Sequence, residues 1–344
     1  MSHMSEGLRE TIGKLVARAY LARVRADGRP FAVGHFITNR CNCKCPSCLW
    51  RHNDWEDVPL EELERFYTEA KAEGFVAAAF TGGEPFLRKD LGQIVRFVKG
   101  QGMAVLVFTT GWFLEKRMDE VLPHLDALMI SLDSARPERH DEIRGLRGLF
   151  DRVVRGVQLV RERYPDLSLQ LNCCVQKGIT DEIGDLVALA RGLDVNISFD
   201  VITEHRNGAD GSAFTETDVG LPLPALREVC AELLERKQAG DPIVNSEHYF
   251  KYFIAGRPGY RCHLPKLVMM VDGRGYVENC LDLDHPIANI RSTPLKEIMA
   301  LPRFKELRVA AERCSSCSSP TMVDMSGVWE NPRLMLEPGG VTLR

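Results

Sequence analysis

Short apolar runs alternate with amphipathic stretches along the first two thirds of this 344-residue chain. The apolar runs predict strands at residues 31–38, 76–81, 104–110, 127–133, 167–175 and 195–203. Between them, as in residues 60–74 and 150–164, apolar side chains recur at helical spacing. Near-continuous apolar strands separated by helices are typical of a parallel sheet with both faces covered. Six strand-helix units are too few for a closed eight-fold barrel. We therefore predict an α/β fold built as a partial (β/α)6 TIM-like barrel.

The pattern changes on either side of this region. Residues 204–218 are polar and aperiodic and predict a long loop, and a helix is predicted near 222–238. From about residue 255 the sequence consists of short strands, turns and cysteines. We predict an N-terminal helix in residues 1–30, of which 1–4 resemble a tag remnant, a barrel in 31–240 and a small C-terminal domain in 241–344.

Charge and hydropathy argue against nucleic acid as a partner and against a membrane-spanning segment, and they leave contact with a membrane surface open. Lys plus Arg number 44 against 48 Asp plus Glu, a net charge of −4, and the basic residues are scattered, so nucleic acid is not an expected partner. No run of eighteen apolar residues and no signal-peptide pattern occurs, and we expect a soluble, cytoplasmic protein. A basic amphipathic helix predicted at residues 5–25 either packs over the open end of the barrel or lies on a membrane surface.

Eleven cysteines in such a chain favour metal ligation over disulfides. Cys41, Cys45 and Cys48 form a C-x3-C-x2-C motif after the first strand. Thiolates are soft ligands for iron-sulfur clusters, and three of them would leave one iron open to a substrate. Cys43 lies between two of these ligands, and we predict that its side chain points elsewhere and only packs. A zinc site remains an alternative at this spacing.

A second motif follows the second strand. In Thr81-Gly-Gly-Glu-Pro85, two glycines permit close backbone approach to a ligand, and the carboxylate beside them can accept from an ammonium group. Together with the cysteine motif, this segment resembles the radical S-adenosylmethionine (SAM) enzymes. The resemblance implies that the three cysteines hold a [4Fe-4S] cluster whose open iron binds SAM. It further implies a set of SAM contacts: Gly82, Gly83, Glu84, Thr109, Ser131, Arg144 and Asn172.

Two positions depart from the family pattern. Thr110 stands where the family often has Asn, and Ser47 stands where an aromatic residue usually flanks the adenine, a ring that Trp50 could supply. On the fifth strand, period-two alternation places Asn172 and Cys174 on one face and Cys173 on the other. Cys174 could thus be a redox or hydrogen-atom partner, or simply a packed thiol. Substrate contacts or solvated loop charges are expected at the end of the sixth strand, at Asp200, Glu204, His205 and Arg206.

The late cysteines form a separate group. Cys262, Cys280 within Gly-x4-Cys, and the C-x2-C pair Cys314 and Cys317 suit a structural zinc site by their chemistry. Their order also resembles the SPASM/twitch extension of radical SAM enzymes, which implies an auxiliary [4Fe-4S] cluster on these four residues. Cys230, inside a predicted helix, is interpreted as a core residue.

The resemblance implies reductive cleavage of SAM to a 5'-deoxyadenosyl radical that abstracts hydrogen from an unactivated carbon, giving an oxidation or a bond-forming rearrangement. It also implies a reducing partner such as flavodoxin or ferredoxin. Only about thirty residues precede the barrel, too few for a winged-helix peptide-binding domain, so a small molecule is the expected substrate and a peptide the second expectation. A non-catalytic iron-sulfur electron carrier or a zinc-stabilised binding protein is the alternative of another class.

Overall fold

The structure is a computed structural model that describes residues 29–46, 48, 56–202, 206–207, 213–214, 219–257, 259–279, 285–315, 317–331 and 334. Its strands are, in chain order, β1 Ala32–Thr38, β2 Ala77–Gly82, β3 Ala104–Thr109, β4 Ala127–Ser131, β5 Ser168–Val175, β6 Asn196–Val201, β7 Arg206–Asn207, β8 Ala213–Phe214, β9 Val268–Val271, β10 Tyr276–Glu278 and β11 Ala288–Asn289. Its helices are α1 Leu60–Ala72, α2 Leu91–Gly100, α3 Leu114–Val121, α4 Pro137–Arg144, α5 Leu149–Arg163, α6 Ile183–Gly192, α7 Leu223–Gln238, α8 Glu247–Ile254, α9 Leu295–Ala300, α10 Pro302–Ala310 and α11 Pro320–Glu330.

The first six strands form one parallel sheet in sequence order, each joined to the next through a helical connection. Parallel neighbours require such crossovers, and the crossovers place all six carboxyl ends at the same edge. The sheet is open among the described residues, because its strand order runs from β11 to β6 without closure. The predicted partial barrel of six strand-helix units is confirmed.

The C-terminal part of the chain adds to the same sheet. Strand β9 pairs in parallel with β1, and β10 and β11 continue outward as antiparallel strands. The strands of the segment predicted as a C-terminal domain therefore extend the sheet from the edge of β1, beginning with β9. This pairing brings the region around the late cysteines next to the first barrel strand.

The two faces of the parallel strands differ in burial. Along β5 the residues alternate strictly, with Leu169, Leu171 and Cys173 buried against the helices and Asn172 and Cys174 half-buried on the inward face. The predicted separation of Cys173 from Asn172 and Cys174 is confirmed. Half-buried polar residues thus lie on the inward face near the carboxyl ends of the strands, where parallel α/β barrels carry their sites.

Several sequence expectations concern particular segments. The helix near 222–238 is α7, and Cys230 lies fully buried within it, as predicted. The N-terminal helix at 5–25 and most of the loop at 204–218 lie outside the described residues. Among the helices that the structure describes, none has the length and apolar character needed to cross a bilayer.

Candidate active site

The site begins with an irregularity at the end of β1. Phe36 pairs with Thr81 and Thr38 with Gly82, so Ile37 is an extra residue at which the register shifts. Residues 39–57 are called the cysteine loop below. Such a bulge re-aims the chain, and here it directs the first residues of that loop, 39–46, across the end of β2.

Residues 82–90, which begin with the last residue of β2, are called the Gly-Gly-Glu loop, and this loop lies directly against the cysteine loop. Gly83 N donates to Thr38 O at 2.8 Å, and Glu84 N donates to Arg40 O at 2.8 Å. A Cβ on Gly82, whose φ is +119°, would lie 2.4 Å from Thr38 O, and one on Gly83 would lie 2.1 Å from Arg40 O. Gly82 is therefore required by the backbone at the end of β1 and Gly83 by that of the cysteine loop, a reason additional to the ligand approach expected from the sequence.

Glu84 is completely buried at the centre of this contact. Its Oε1 accepts from Phe86 N at 3.0 Å and from Thr109 Oγ1 at 2.7 Å, and its Oε2 accepts from Thr110 N at 2.6 Å. A carboxylate offers about four acceptor positions, so one position on Oε2 remains. Burial raises the pKa of Glu84 above its ordinary value despite these hydrogen bonds. A cation placed at Oε2 would offset that desolvation, which fits the ammonium group predicted for this position.

The first two cysteines of the motif lie close together around Cys43. The Cys43 thiol hydrogen-bonds to the sulfurs of Cys41 and Cys45, which lowers the pKa of Cys41 and brings that of Cys45 to about 6. Arg144 adds to the lowering at Cys45. Cys43 is buried in the core, as expected of a packing residue, but its side chain faces the ligand cysteines. The expectation that it points elsewhere is wrong, because spacing alone does not determine side-chain direction in an irregular loop.

Of the segment around the third motif cysteine, the structure describes Cys48 but not all of its neighbours. Cys48 N donates to Cys45 O at 3.1 Å, which turns the chain back toward the motif. Ser47 and Trp50, the positions considered for an adenine contact, lie outside the described residues. A cube-shaped cluster binds each thiolate to a different iron, so its ligands are further apart than those of a single ion. Within the described ranges, no three His, Cys, Asp or Glu side chains surround one point as ligands of a single metal ion would.

Arg144 connects the loop after β4 to the cysteine loop. Its guanidinium pairs with buried Asp133 through two contacts, at 2.5 Å and 2.9 Å, and its carbonyl accepts from Lys44 N at 2.9 Å. Burial opposes this charge, but Asp133 keeps the Arg144 pKa well above its ordinary value. Asp133 also accepts from Cys174 N at 2.9 Å. The sequence interpretation assigned Arg144 to SAM but gave Asp133 no role, although both belong to one buried pair.

Three polar residues form a row across the inward face. Ser131 on β4 is in register with Asn172 on β5, and Asn172 with Ser198 on β6. Ser198 Oγ donates to Asn172 Oδ1 at 2.5 Å. Two residues further along both strands, Cys174 is in register with Asp200. Ser131 and Asn172, both predicted SAM contacts, are thus neighbours, whereas Glu204 and His205 lie outside the described residues and only the backbone of Arg206 is described.

Three of the four late cysteines also meet. Cys262 and Cys314 are buried, and each lies close enough to Cys317 to raise its pKa, which burial first and these thiols next bring to about 11. Helix α8 holds this segment, because Tyr249 Oη donates to Ser318 O at 2.7 Å and Tyr252 Oη accepts from Cys317 N at 3.3 Å. Cys280 lies outside the described residues. The described cysteines form no disulfide and suit iron-sulfur ligation by their chemistry.

The open parallel α/β barrel of this chain has a counterpart among solved structures. The solved structure of Streptococcus suis SuiB bound to S-adenosylmethionine superposes with a TM-score of 0.67 at 16% identity, covering 85% of this chain and 72% of that one. At this identity the likeness concerns the fold alone.

Sequence comparison identifies the family. Residues 36–190 match the model of the radical SAM superfamily, and residues 262–318 match that of an iron-sulfur cluster-binding domain, SPASM. These matches identify a radical SAM region in residues 36–190 and a SPASM region in residues 262–318.

Two relatives come from Methanosarcina barkeri. Fe-coproporphyrin III synthase is 28% identical over 193 residues, 55% of this chain and 44% of the relative. AdoMet-dependent heme synthase is 31% identical over 171 residues, 48% of each chain. The chain therefore spans about half the length of these relatives.

Proposed function

We propose that this chain is an enzyme that reductively cleaves SAM and uses the resulting 5'-deoxyadenosyl radical to abstract hydrogen from an unactivated carbon of a small molecule. The observation that carries the proposal is the contact between the two loops. Backbone hydrogen bonds join the Gly-Gly-Glu loop to Thr38 at the end of β1 and to Arg40 in the cysteine loop, and Glu84 is buried beside them with one acceptor position left. A cluster held by the first loop and a ligand held by the second would then be neighbours.

Different residues of the site would bind the cluster and SAM. Cys41, Cys45 and Cys48 would hold a [4Fe-4S] cluster, which when bound supplies the electron for SAM cleavage. Glu84 would accept from the SAM ammonium group. Thr109 holds the Glu84 carboxylate in place through its 2.7 Å hydrogen bond.

The remaining predicted contacts lie along the carboxyl ends of β4 and β5. Ser131 and Asn172 share one register pair on the inward face, where a ligand bound against Glu84 would extend. Arg144, held by Asp133, presents a fixed positive charge beside Cys45. We propose that these three residues bind the remaining polar groups of SAM, and that the inward face excludes water from the reacting carbon.

The second cysteine group supports an auxiliary role. We propose that Cys262, Cys280, Cys314 and Cys317 would hold an auxiliary [4Fe-4S] cluster, which would supply a one-electron acceptor or a binding point for substrate. Electrons for SAM cleavage would come from a one-electron donor such as flavodoxin or ferredoxin.

A small molecule is the proposed substrate class because the relatives at 28% and 31% identity are named for porphyrin and haem synthesis. A peptide is the second candidate.

Anaerobic reconstitution tests the proposal. The purified chain should bind about eight irons, four for each cluster, and form 5'-deoxyadenosine from SAM under reduction. Cys45→Ala should abolish 5'-deoxyadenosine formation, and Cys230→Ala, which removes a buried thiol far from both motifs along the chain, should not. Small-molecule extracts and peptide pools, added separately, identify the substrate class by increased SAM cleavage. Iron binding without any SAM cleavage would indicate an electron carrier, and zinc in place of iron would overturn the proposal.

A further inference from the structure

A buried tyrosine hydroxyl lies among the late cysteines. Tyr260 Oη is inaccessible to solvent and has no partner that meets the geometry of a hydrogen bond. The thiols of Cys262 and Cys317 both lie within reach of it. A buried hydroxyl without a partner costs free energy, about 1–3 kcal/mol, so a position of this kind is usually completed by a bound group.

The surroundings of Tyr260 restrict where its hydroxyl can point. Its ring packs against Tyr252 with centroids 5.7 Å apart, and it contacts both the barrel core and the smaller core that contains Cys262 and Cys314. Ser326 is also close; its Oγ accepts from His263 N at 3.0 Å, and its own hydroxyl can donate to the Tyr260 oxygen. The Tyr260 hydrogen then remains for a sulfur acceptor, and the Cys262 thiol lies within its reach.

We propose that the Tyr260 hydroxyl donates a hydrogen bond to a cysteine sulfur that binds the auxiliary cluster, and so raises the reduction potential of that cluster. The inference rests on the proposed function, since it requires the auxiliary cluster. Reduction adds negative charge to a cluster and its thiolates, and a donor aimed at a sulfur stabilises the reduced state more than the oxidised one. Tyr260 is in this sense a positioning and tuning residue that does not ligate iron.

The test isolates the auxiliary cluster in the full-length chain. Cys41, Cys45 and Cys48 are replaced by Ala together, which removes the first cluster and leaves about four irons. In that background, Tyr260→Phe removes only the hydroxyl. We expect unchanged iron content and a lower midpoint potential in an EPR-monitored redox titration, by about tenfold in the reduction equilibrium, or about 59 mV for one electron.

Tyr252→Phe is the matched control, because it removes a buried phenol next to the same segment. The hydrogen bond found at the Tyr252 oxygen is one that it accepts from the Cys317 backbone amide, not one to a sulfur. We expect it to lower stability while leaving the potential within about 10 mV, a small fraction of the 59 mV that corresponds to a tenfold change.

An unchanged potential in Tyr260→Phe, or equal shifts in both variants, would overturn the role of Tyr260 with the cluster itself intact. Absence of iron from the triple-alanine background would instead overturn the auxiliary cluster, and the inference with it.

Discussion

Arg88 provides the sharpest prediction about how the site is built. It is 3% exposed, and its guanidinium donates to Ile37 O at 3.0 Å and to Val58 O at 2.9 Å. These carbonyls lie just before and just after the cysteine loop, so Arg88 closes the loop at both ends. Asp90 orients the guanidinium with contacts at 2.9 Å and 2.6 Å.

Replacing Arg88 by Met would leave both carbonyls buried without a donor. Hydrogen bonds from a charged donor are worth about 1.5–3 kcal/mol each, and removing one partner of a buried charged pair typically costs about 3–5 kcal/mol. We therefore expect a loss of about 3–5 kcal/mol, compared with a total stability of about 5–15 kcal/mol for a typical protein. The loss falls on the ends of the cysteine loop, so the first cluster should be affected before the second.

The assay combines urea unfolding of the metal-free protein with iron analysis and EPR after anaerobic reconstitution. Arg88→Met should unfold at lower urea and retain about four of about eight irons, with the auxiliary signal preserved. Arg88→Lys should recover only part of the loss, because one ammonium cannot reproduce the planar fork. Arg29→Met is the control, since Arg29 is 57% exposed in its pair with Glu73 and such pairs are worth about 0–1 kcal/mol.

Wild-type unfolding and full iron content in Arg88→Met would refute this reasoning. Equal loss of iron from both sites would show that Arg88 supports the whole fold rather than the loop.

Three further predictions concern the same two loops. Glu84→Gln should weaken SAM binding about tenfold or more in calorimetry, because the variant lacks the negative charge that accepts from the ammonium group. The affinity of the wild type for SAM should fall as pH is lowered through the raised Glu84 pKa, and that of the variant should not. An identical pH profile in the two proteins would contradict the assignment. Gly83→Ala should lose iron from the first cluster, because its Cβ would lie 2.1 Å from Arg40 O. Gly100→Ala is the control: its Cβ would have no atom within 4 Å, and the substitution should stabilise the protein by about 0.5–1 kcal/mol in urea unfolding. Cys43→Ala should retain iron and SAM cleavage, and loss of iron in this variant would show that the wrong three cysteines were assigned.

Much of the architecture could be read from local pattern. The six barrel strands begin and end within two residues of their predicted bounds, and the alternation along β5 correctly separated Cys173 from Asn172 and Cys174. Such features depend on period-two and helical repeats, and these repeats can be recognised in a stretch of only a few residues. The meeting of the cysteine motif and the Gly-Gly-Glu turn followed equally, because carboxyl ends of neighbouring parallel strands share one edge.

Contacts made at long range could not be read in this way. Arg88 reaches carbonyls 51 and 30 positions earlier in the chain, and no local signal distinguishes it from a solvated arginine. The same holds for the Asp133 partner of Arg144 and for the pairing of β9 with β1 across more than two hundred residues.

The sequence alone determined the class of fold, its six strand-helix units and the residue types capable of binding a cluster and its ligand, because periodicity and motif spacing are local properties. Only the tertiary structure decided which polar groups are buried together: Glu84 with Thr109, Cys43 with its neighbouring cysteines, and Tyr260 with the Cys262 and Cys317 thiols. Burial and hydrogen-bond geometry arise from packing between distant segments, and they set the charge state and orientation on which the chemistry of these groups depends.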